Sequence, residues 1–167
     1  MRIIRKLWKY SLLYFVNHFL SGTHFYKTKR FLLNLIDGVF LEKGVSIVGP
    51  LSFYGKMTVG KDTFIGRNFN VEGNGDVIIG RNCDIAPHVC IITGSHQIGN
   101  MERRAGKGFS GKVEIGNGCW ICAKTCVLPN VIIEDGVVVA ACSLVNKRIG
   151  CNCVVGGIPA TIIRTLD

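Results

Sequence analysis

The chain is poor in acidic residues and has no apolar run long enough for an ordinary membrane span. Eleven Asp and Glu stand against 20 Lys and Arg, which gives a formal net charge of +9 over 167 residues. The apolar run near the N-terminus covers residues 12–16, whereas a spanning helix needs about 20 apolar residues. No small-residue cleavage site follows it, as one would in a secretory signal. The 21 glycines lack a Gly-X-Y period, which excludes a collagen-like rod.

The cysteines lack the arrangement of a zinc ribbon. One Cys-x-x-Cys pair, Cys119 and Cys122, has no second pair to complete a four-ligand site. The cysteines follow the repeat described below instead: Cys83, Cys90, Cys119, Cys122, Cys126, Cys142, Cys151 and Cys153. We therefore expect reduced, buried thiols that act as small apolar side chains in a cytosolic protein, and no metal site.

Hydrophobic residues are abundant, at 48% with a mean hydropathy of +0.33, which excludes a disordered chain. The length fits one domain with a substantial core. Six of the nine net positive charges fall within residues 1–43. The rest of the chain therefore offers no strongly basic face to a nucleic acid, and the N-terminal segment is expected to have a role of its own.

Residues 1–20 predict an amphipathic helix, because apolar side chains recur at spacings of three and four residues. Basic residues lie near its start: Arg2, Arg5, Lys6 and Lys9. Three interpretations stay open. The helix packs against its own domain or a partner subunit, lies in a membrane interface as a peripheral contact, or acts as a transmembrane anchor. A second short helical or strand-like piece is expected before Gly38.

From Val45 onwards a large apolar residue recurs every six positions. These marker residues are Ile47, Phe53, Val59, Ile65, Val71, Ile79, Ile85, Ile91, Ile115, Ile121, Val127, Ile133, Val139 and Val145. Two extra residues precede Ile79, and a longer interruption separates Ile91 from Ile115. The repeat defines a second unit, residues 45–167, after the N-terminal helical segment of residues 1–44.

A period of six belongs neither to an α-helix nor to an antiparallel strand. Three hexads, about 18 residues, make one triangular turn of a solenoid, with a short strand on each flat side and the marker residue pointing inward. Successive turns stack about 4.8 Å apart and bury continuous ladders of Ile, Val and Cys. The sequence thus predicts an all-β fold, a parallel β-helix with one long inserted loop at about residues 95–112.

The hexads, the stretch IGNGCWICAKTCVLPNVIIEDGVVVAACSLVNKRI and the ending VVGGIPATIIR resemble the hexapeptide-repeat acyltransferases. More narrowly they are similar to the sugar O-acetyltransferase branch, with its maltose, galactoside and capsule or exopolysaccharide acetyltransferases. The resemblance covers about residues 45–165. It implies a left-handed β-helix, acetyl-CoA as co-substrate, and a homotrimer with active sites between subunits.

The interruption supplies the projecting part that a closed prism needs in order to form a pocket. The interval from Ile91 to Ile115 is 24 residues, or four hexads, so the loop leaves and returns in register. Its glycines and basic residues suit a flexible, solvent-facing arm. His96 stands at the exit of the last strand before the loop, where the resembled family has its catalytic base. Imidazole suits this role because it accepts a proton near neutral pH.

The resemblance assigns further residues one by one. Asn70 matches the asparagine placed against the acceptor sugar, whereas His88 is expected to be a corner residue. The donor side is expected to use Trp120, Ala123, Ala141, Asn146, Lys147 and Arg164. The partner that orients His96 stays open among a backbone carbonyl, Glu102 and Asp84.

These observations predict an acetyl-CoA-dependent O-acetyltransferase that modifies a sugar hydroxyl in capsule, exopolysaccharide or another surface glycan. We expect it in the cytoplasm, peripherally at the inner face of the membrane if the N-terminal helix binds lipid. A soluble mono- or disaccharide acceptor, N-acylation of a nucleotide amino-sugar, and a non-catalytic repeat scaffold remain alternatives. Hexapeptide-repeat carbonic anhydrases are excluded, because they need three zinc-binding histidines and only His88 and His96 lie within the repeat.

Overall fold

The computed structural model describes residues 2–167, without the side chains of Arg2 and Arg5, so the predicted basic role of these two arginines lies outside the described residues. The elements in chain order are α1 (Arg2–Phe19), α2 (Tyr26–Asn34), β1 (Val39–Leu41), β2 (Ser46–Ile47), β3 (Leu51–Ser52), β4 (Met57–Val59), β5 (Phe64–Ile65), β6 (Phe69–Glu72), β7 (Val77–Ile79), β8 (Asp84–Ile85), β9 (Cys90–Ile92), β10 (Gly94–Ile98), β11 (Ala105–Ser110), β12 (Val113–Ile115), β13 (Trp120–Ile121), β14 (Cys126–Val127), β15 (Ile132–Ile133), β16 (Val138–Val139), β17 (Leu144–Val145), β18 (Cys153–Gly157) and β19 (Ala160–Thr165).

Three parallel sheets form the faces of a triangular prism. Sheet A contains β1, β4, β7, β12 and β15; sheet B contains β2, β5, β8, β13, β16 and β18; sheet C contains β3, β6, β9, β14 and β17. Successive turns pair in register, with Val77 opposite Met57 on one side and Val113 on the other. The turns wind as a left-handed parallel β-helix, which confirms the predicted fold. At the C-terminal end β19 folds back antiparallel on β18.

The hexad markers form the core of the prism. Each of them is buried, and none is more than 2% exposed. The corners between sheets A and B stack residues whose backbone is left-handed: Asp62, Asn82, Gly118, Gly136 and Asn152. Glycine, asparagine and aspartate tolerate this conformation better than other residues. The six-residue period therefore encodes both the inward ladders and the corners.

The two helices cover the N-terminal end of the prism. Leu12, Leu13 and Val16 of α1 are buried against it, and α2 contacts β1 and β2. The Asn17 side chain donates to the Leu51 carbonyl at 2.8 Å and accepts from the Leu51 amide at 3.0 Å. Strand β1 pairs with β4, so the first turn of the solenoid begins ahead of Val45.

No helix within residues 2–167 is both long and apolar enough to cross a bilayer.

The interruption is an ordered antiparallel hairpin of β10 and β11 rather than a flexible arm. Buried Thr93 holds its base: the Thr93 amide donates to the Glu72 carbonyl at 2.7 Å, and the Gly111 amide donates to the Thr93 carbonyl at 2.7 Å. The Thr93 hydroxyl also accepts from the Gly75 amide at 3.1 Å. The two extra residues before Ile79 lie in this widened corner, so both irregularities of the repeat belong to one structural feature.

Candidate active site

His96 is the third residue of β10, four residues after the end of β9, and its side chain is exposed. It is paired with Gly108 of β11. A Cβ atom at Gly108 would lie 3.7 Å from both Cδ2 and Nε2 of His96, so the imidazole packs over the bare glycine backbone. No hydrogen bond joins the His96 ring to another residue in the described part of the chain, and this includes both predicted carboxylate partners, Glu102 and Asp84. Both ring nitrogens are therefore available to a ligand or a second subunit.

The His96 cleft has a volume of about 450 Å³. Its lining comes from the base of the hairpin and from the widened corner beneath it: Gly73, Asn74, Gly94, Ser95, His96, Gly108, Phe109 and Ser110. Gly73 has φ +96°, and a Cβ atom there would approach the Gly94 amide nitrogen to 2.3 Å. The corner and the hairpin thus meet backbone to backbone, which fixes the base of the strand that carries His96.

Asn70 lies on the outer face of sheet C, in the row that contains Ser52 and Cys90. Its amide nitrogen donates to Glu72 Oε1 at 2.7 Å, and its amide oxygen accepts from the Ser52 hydroxyl. Glu72 directly precedes Gly73 of the His96 cleft. One polar row therefore leads from Ser52 through Asn70 to the corner below His96.

The predicted donor residues fall in two separate regions of the prism. One is sheet B with the corner that follows it, and the other is the corner that follows sheet C. Trp120 lies on sheet B between Asp84 and Val138, with its side chain 53% exposed. Ala123 and Ala141 occupy the corner that follows sheet B, one turn apart.

Arg164 lies on β19, opposite Val154 at the end of sheet B. Asn146 and Lys147 follow β17 at the other edge of sheet C, the edge from which the hairpin departs. Within one chain, the width of sheet C thus separates Trp120 from Asn146 and Lys147.

His88 occupies the corner between sheets B and C, as expected, with φ +63°. It stacks in a column with Asn68, Lys124 and Cys142, which share the left-handed backbone. Its ring lies 3.4 Å from the Asn68 amide nitrogen. His88 thus serves a turn of the solenoid and lies outside the His96 cleft.

All eight cysteines are free, but burial differs among them. Cys83, Cys119 and Cys153 are buried, Cys90, Cys122 and Cys126 are half-buried, and Cys142 and Cys151 are exposed. The expectation of buried thiols was therefore wrong for Cys142 and Cys151. Burial raises the pKa of Cys90 to about 11, so this thiol stays protonated at neutral pH. Within residues 2–167 no group of three or more His, Cys, Asp or Glu side chains is placed to hold a metal ion.

Sequence reasoning missed a groove between α1 and the first turn. The α1 groove has a volume of about 690 Å³ and is lined by Tyr10, Ser11, Leu13, Tyr14, Phe15, Asn17, His18, Leu51, Ser52, Phe53 and Tyr54. The aromatic residues of the predicted helix were a signal for it. Their partner surface on β3 lies more than 30 residues further along the chain, which helical periodicity does not reveal.

Comparison with known proteins agrees with this geometry. The model of the bacterial transferase hexapeptide (six repeats) matches residues 112–147. A galactoside O-acetyltransferase of Escherichia coli strain K12 is 34% identical over 114 residues, which cover 65% of this chain and 56% of the relative. The chain thus spans little more than half the length of that protein.

A putative colanic acid biosynthesis acetyltransferase of the same strain is 32% identical over 142 residues, covering 83% of this chain and 75% of the relative. Among solved structures, a galactoside acetyltransferase in complex with coenzyme A superposes with a TM-score of 0.84 at 26% identity. That match covers 98% of this chain and 81% of the other. The similarity therefore includes the N-terminal helices as well as the solenoid.

Proposed function

Because the chain belongs to the hexapeptide-repeat acetyltransferases, we propose that it transfers the acetyl group of acetyl-CoA to a sugar hydroxyl in the synthesis of a surface glycan. The observation that carries the proposal is the placement of His96. A rigid hairpin base holds the imidazole in an open cleft, and the hydrogen-bonded row of Ser52, Asn70 and Glu72 ends beside it. This row offers amide, hydroxyl and carboxylate groups, which are the groups that bind sugar hydroxyls.

The reaction needs one base and no covalent enzyme intermediate. A ring nitrogen of His96 takes the proton of the sugar hydroxyl while its oxygen attacks the thioester carbonyl carbon. A C–O bond forms, and the tetrahedral intermediate then loses the CoA thiolate as the C–S bond breaks. The proton on His96 passes to the thiolate or to solvent, which restores the neutral imidazole.

The donor site is completed between subunits in this proposal. Trp120 lies on a flat face with half of its surface exposed, and a flat face alone gives the pantetheine arm no slot. A homotrimer of side-by-side prisms would place the edge with Asn146 and Lys147 against the neighbouring edge with Trp120, Ala123 and Ala141. Lys147 and Arg164 then supply cations for the phosphates of CoA.

A Trp120→Ala variant is expected to raise the KM for acetyl-CoA about tenfold and to change kcat little. Loss of the apolar contact between the indole and the pantetheine arm is expected to cost about 1.5 kcal/mol, and 1.4 kcal/mol corresponds to a factor of ten. Steady-state kinetics at saturating acceptor measures both constants. Trp8→Ala is the matched control, since Trp8 is similarly exposed but lies on α1. An unchanged KM in Trp120→Ala would remove this residue from the donor site.

The proposed activity is tested by release of free thiol from acetyl-CoA in the presence of sugar acceptors. The panel includes mono- and disaccharides, nucleotide amino-sugars and lipid-linked sugars, so that the product class separates O-acetylation of a glycan from the alternatives. Acceptor-dependent release supports the proposal. Absence of both release and acetyl-CoA binding would favour a non-catalytic scaffold.

The outer face of α1 supports a cytoplasmic enzyme in peripheral contact with the membrane. Ile4 and Leu7 are 70% and 62% exposed, on the side of α1 away from the buried Leu12, Leu13 and Val16. Contiguous exposed apolar surface of this kind marks an interaction site. The net charge of +6 within residues 1–43 favours an anionic surface.

A double substitution Ile4→Glu and Leu7→Glu is expected to abolish flotation of the protein with vesicles of phosphatidylglycerol and phosphatidylcholine. Each charge disfavours burial in the interface. Phe31→Glu on α2, which replaces another exposed apolar residue, should float like the wild type. Equal flotation of all three proteins would contradict the membrane contact.

A further inference from the structure

Three clefts of this chain share lining residues in series, and we call this series the track. The α1 groove and a second cleft of about 380 Å³ share Tyr10 and Tyr54. We name it the lysine cleft; its lining residues are Lys6, Lys9, Tyr10, Ile36, Asp37, Tyr54 and Asn74. Asn74 in turn lines the His96 cleft. The track therefore runs from an aromatic groove past two lysines to the proposed catalytic base.

The α1 groove is preformed and mainly apolar. Its helical wall is held by the two hydrogen bonds between Asn17 and Leu51 and by the burial of Leu13, which is 7% exposed. Tyr10, Tyr14 and Phe15 present their rings at its mouth. Because the walls are already fixed, little ordering entropy is lost when a ligand enters. A groove of this chemistry suits a hydrocarbon chain.

The lysine cleft has the opposite character. Lys9 Nζ donates to the Tyr54 carbonyl at 2.8 Å and lies 4.2 Å from the centre of the Phe53 ring, so this ammonium is fixed beside the groove. Lys6 is exposed at the same cleft, and of the side chains that the structure describes Asp37 is the one carboxylate in its lining. Two ammonium groups against one carboxylate leave a net positive site, which favours an anion such as a phosphate.

We propose that this track binds a single acceptor in which a sugar is joined through a phosphate to a hydrocarbon chain. The chain lies in the α1 groove, the phosphate meets Lys6 and Lys9, and the sugar reaches His96 past Asn74. The order of the three clefts matches the order of the three chemical parts. The inference rests on the proposed function, which it narrows from sugars in general to lipid-linked sugars. The exposed apolar face of α1 adjoins the groove and would place its mouth at the lipid surface.

The test uses farnesyl phosphate, which has the chain and the phosphate but no sugar, so that binding is measured independently of catalysis. Titration calorimetry compares it with farnesol and inorganic phosphate. The wild type is expected to bind farnesyl phosphate at least about tenfold more tightly than either fragment, because the two sites act together on one ligand. Binding should weaken as salt is raised, since the phosphate contact is electrostatic.

Substitutions then locate the ligand. Tyr10→Ala combined with Tyr54→Ala should weaken binding at least about tenfold, and Lys6→Glu should remove the preference for farnesyl phosphate over farnesol. Phe31→Ala and Lys27→Glu on α2 are the matched controls and should bind as the wild type does. Circular dichroism confirms that each variant is folded. Unchanged binding in the Tyr10 and Tyr54 variant, or no wild-type preference for farnesyl phosphate, overturns the proposal.

A second measurement separates this inference from the proposed activity. Thiol release is compared for a soluble methyl glycoside and for the same sugar on a prenyl phosphate. Release with both acceptors at equal kcat/KM would support the transferase and contradict the track. Farnesyl phosphate binding without release from either acceptor would retain the track and contradict the proposed chemistry. A kcat/KM at least about tenfold higher for the prenyl-linked sugar, lost in the Tyr10 and Tyr54 variant, supports both.

Discussion

A His96→Ala variant is expected to lose a factor of about 10² to 10⁴ in kcat, the range for removal of a general base. The alanine side chain cannot take the hydroxyl proton, and among the described residues no other titratable side chain lines the His96 cleft. Acetyl-CoA binding should stay within about twofold of the wild type, because the predicted donor residues lie on other elements. Thiol release at saturating substrates gives kcat, and calorimetry gives the donor affinity.

The matched control is His88→Asn. Asparagine tolerates the left-handed backbone of the His88 corner, where φ is +63°, so the solenoid should keep its fold and its rate. Retention of most of the wild-type kcat in His96→Ala would move the base to another residue. A loss of equal size in both variants would point to damage of the solenoid instead of loss of the base.

A Gly73→Ala variant is expected to lose activity as well as stability. The backbone of Gly73 has φ +96°, and the added methyl carbon would lie 2.3 Å from the Gly94 nitrogen, so the corner or the hairpin must shift. Backbone strain of this kind costs about 1–3 kcal/mol in the free energy of unfolding. A displacement of the hairpin base by about 1 Å would lower kcat about 10²-fold, because the imidazole is carried with it.

The Gly118→Ala variant distinguishes the effect of backbone strain from the effect of displacing the hairpin base. Gly118 also has a left-handed backbone, with φ +63°, but no atom lies within 4 Å of the added carbon. We expect a loss of about 1–2 kcal/mol in the free energy of unfolding and a wild-type kcat at saturating acetyl-CoA. Denaturant unfolding and kcat are measured for both variants. Similar kcat values in Gly73→Ala and Gly118→Ala would show that the close approach at Gly73 does not position His96.

The solenoid was predictable because its determinants are local and repeated. Each marker residue identifies one inward-facing position. A wrong assignment at a single hexad has little effect on the prediction, because the other hexads of the repeat support the same fold. The exit of His96 from the prism followed from register, since the interval from Ile91 to Ile115 equals four hexads. The ordered hairpin was not predictable, because the glycines of β11 favour a loop on propensity alone. They are tolerated in the strand because Gly108 makes room for the imidazole and Gly106 lies against Gly99.

Local sequence patterns did not predict which face of α1 packs against the prism. Its periodicity predicts a helix with an apolar face, but apolar residues occur around most of its circumference. Leu12, Leu13 and Val16 turn inward, while Ile4 and Leu7 remain exposed. The burial of these side chains and the two hydrogen bonds between Asn17 and Leu51 hold α1 in this orientation. The α1 groove and the lysine cleft both have residues of α1 in their lining.

The covering of the N-terminal end of the prism has a consequence for end-to-end polymerisation of the molecule. Strands β1, β2 and β3 are the first members of sheets A, B and C, and each has one edge without a neighbouring strand. Unprotected edges of this kind are templates for strand addition from another molecule, and a stack of identical turns would extend end to end into a filament. The helices α1 and α2 cover this end of the prism and so prevent such growth. Removal of the N-terminal segment would therefore produce a polymerisation-prone chain, and single substitutions on α1 are the sounder way to examine its outer face.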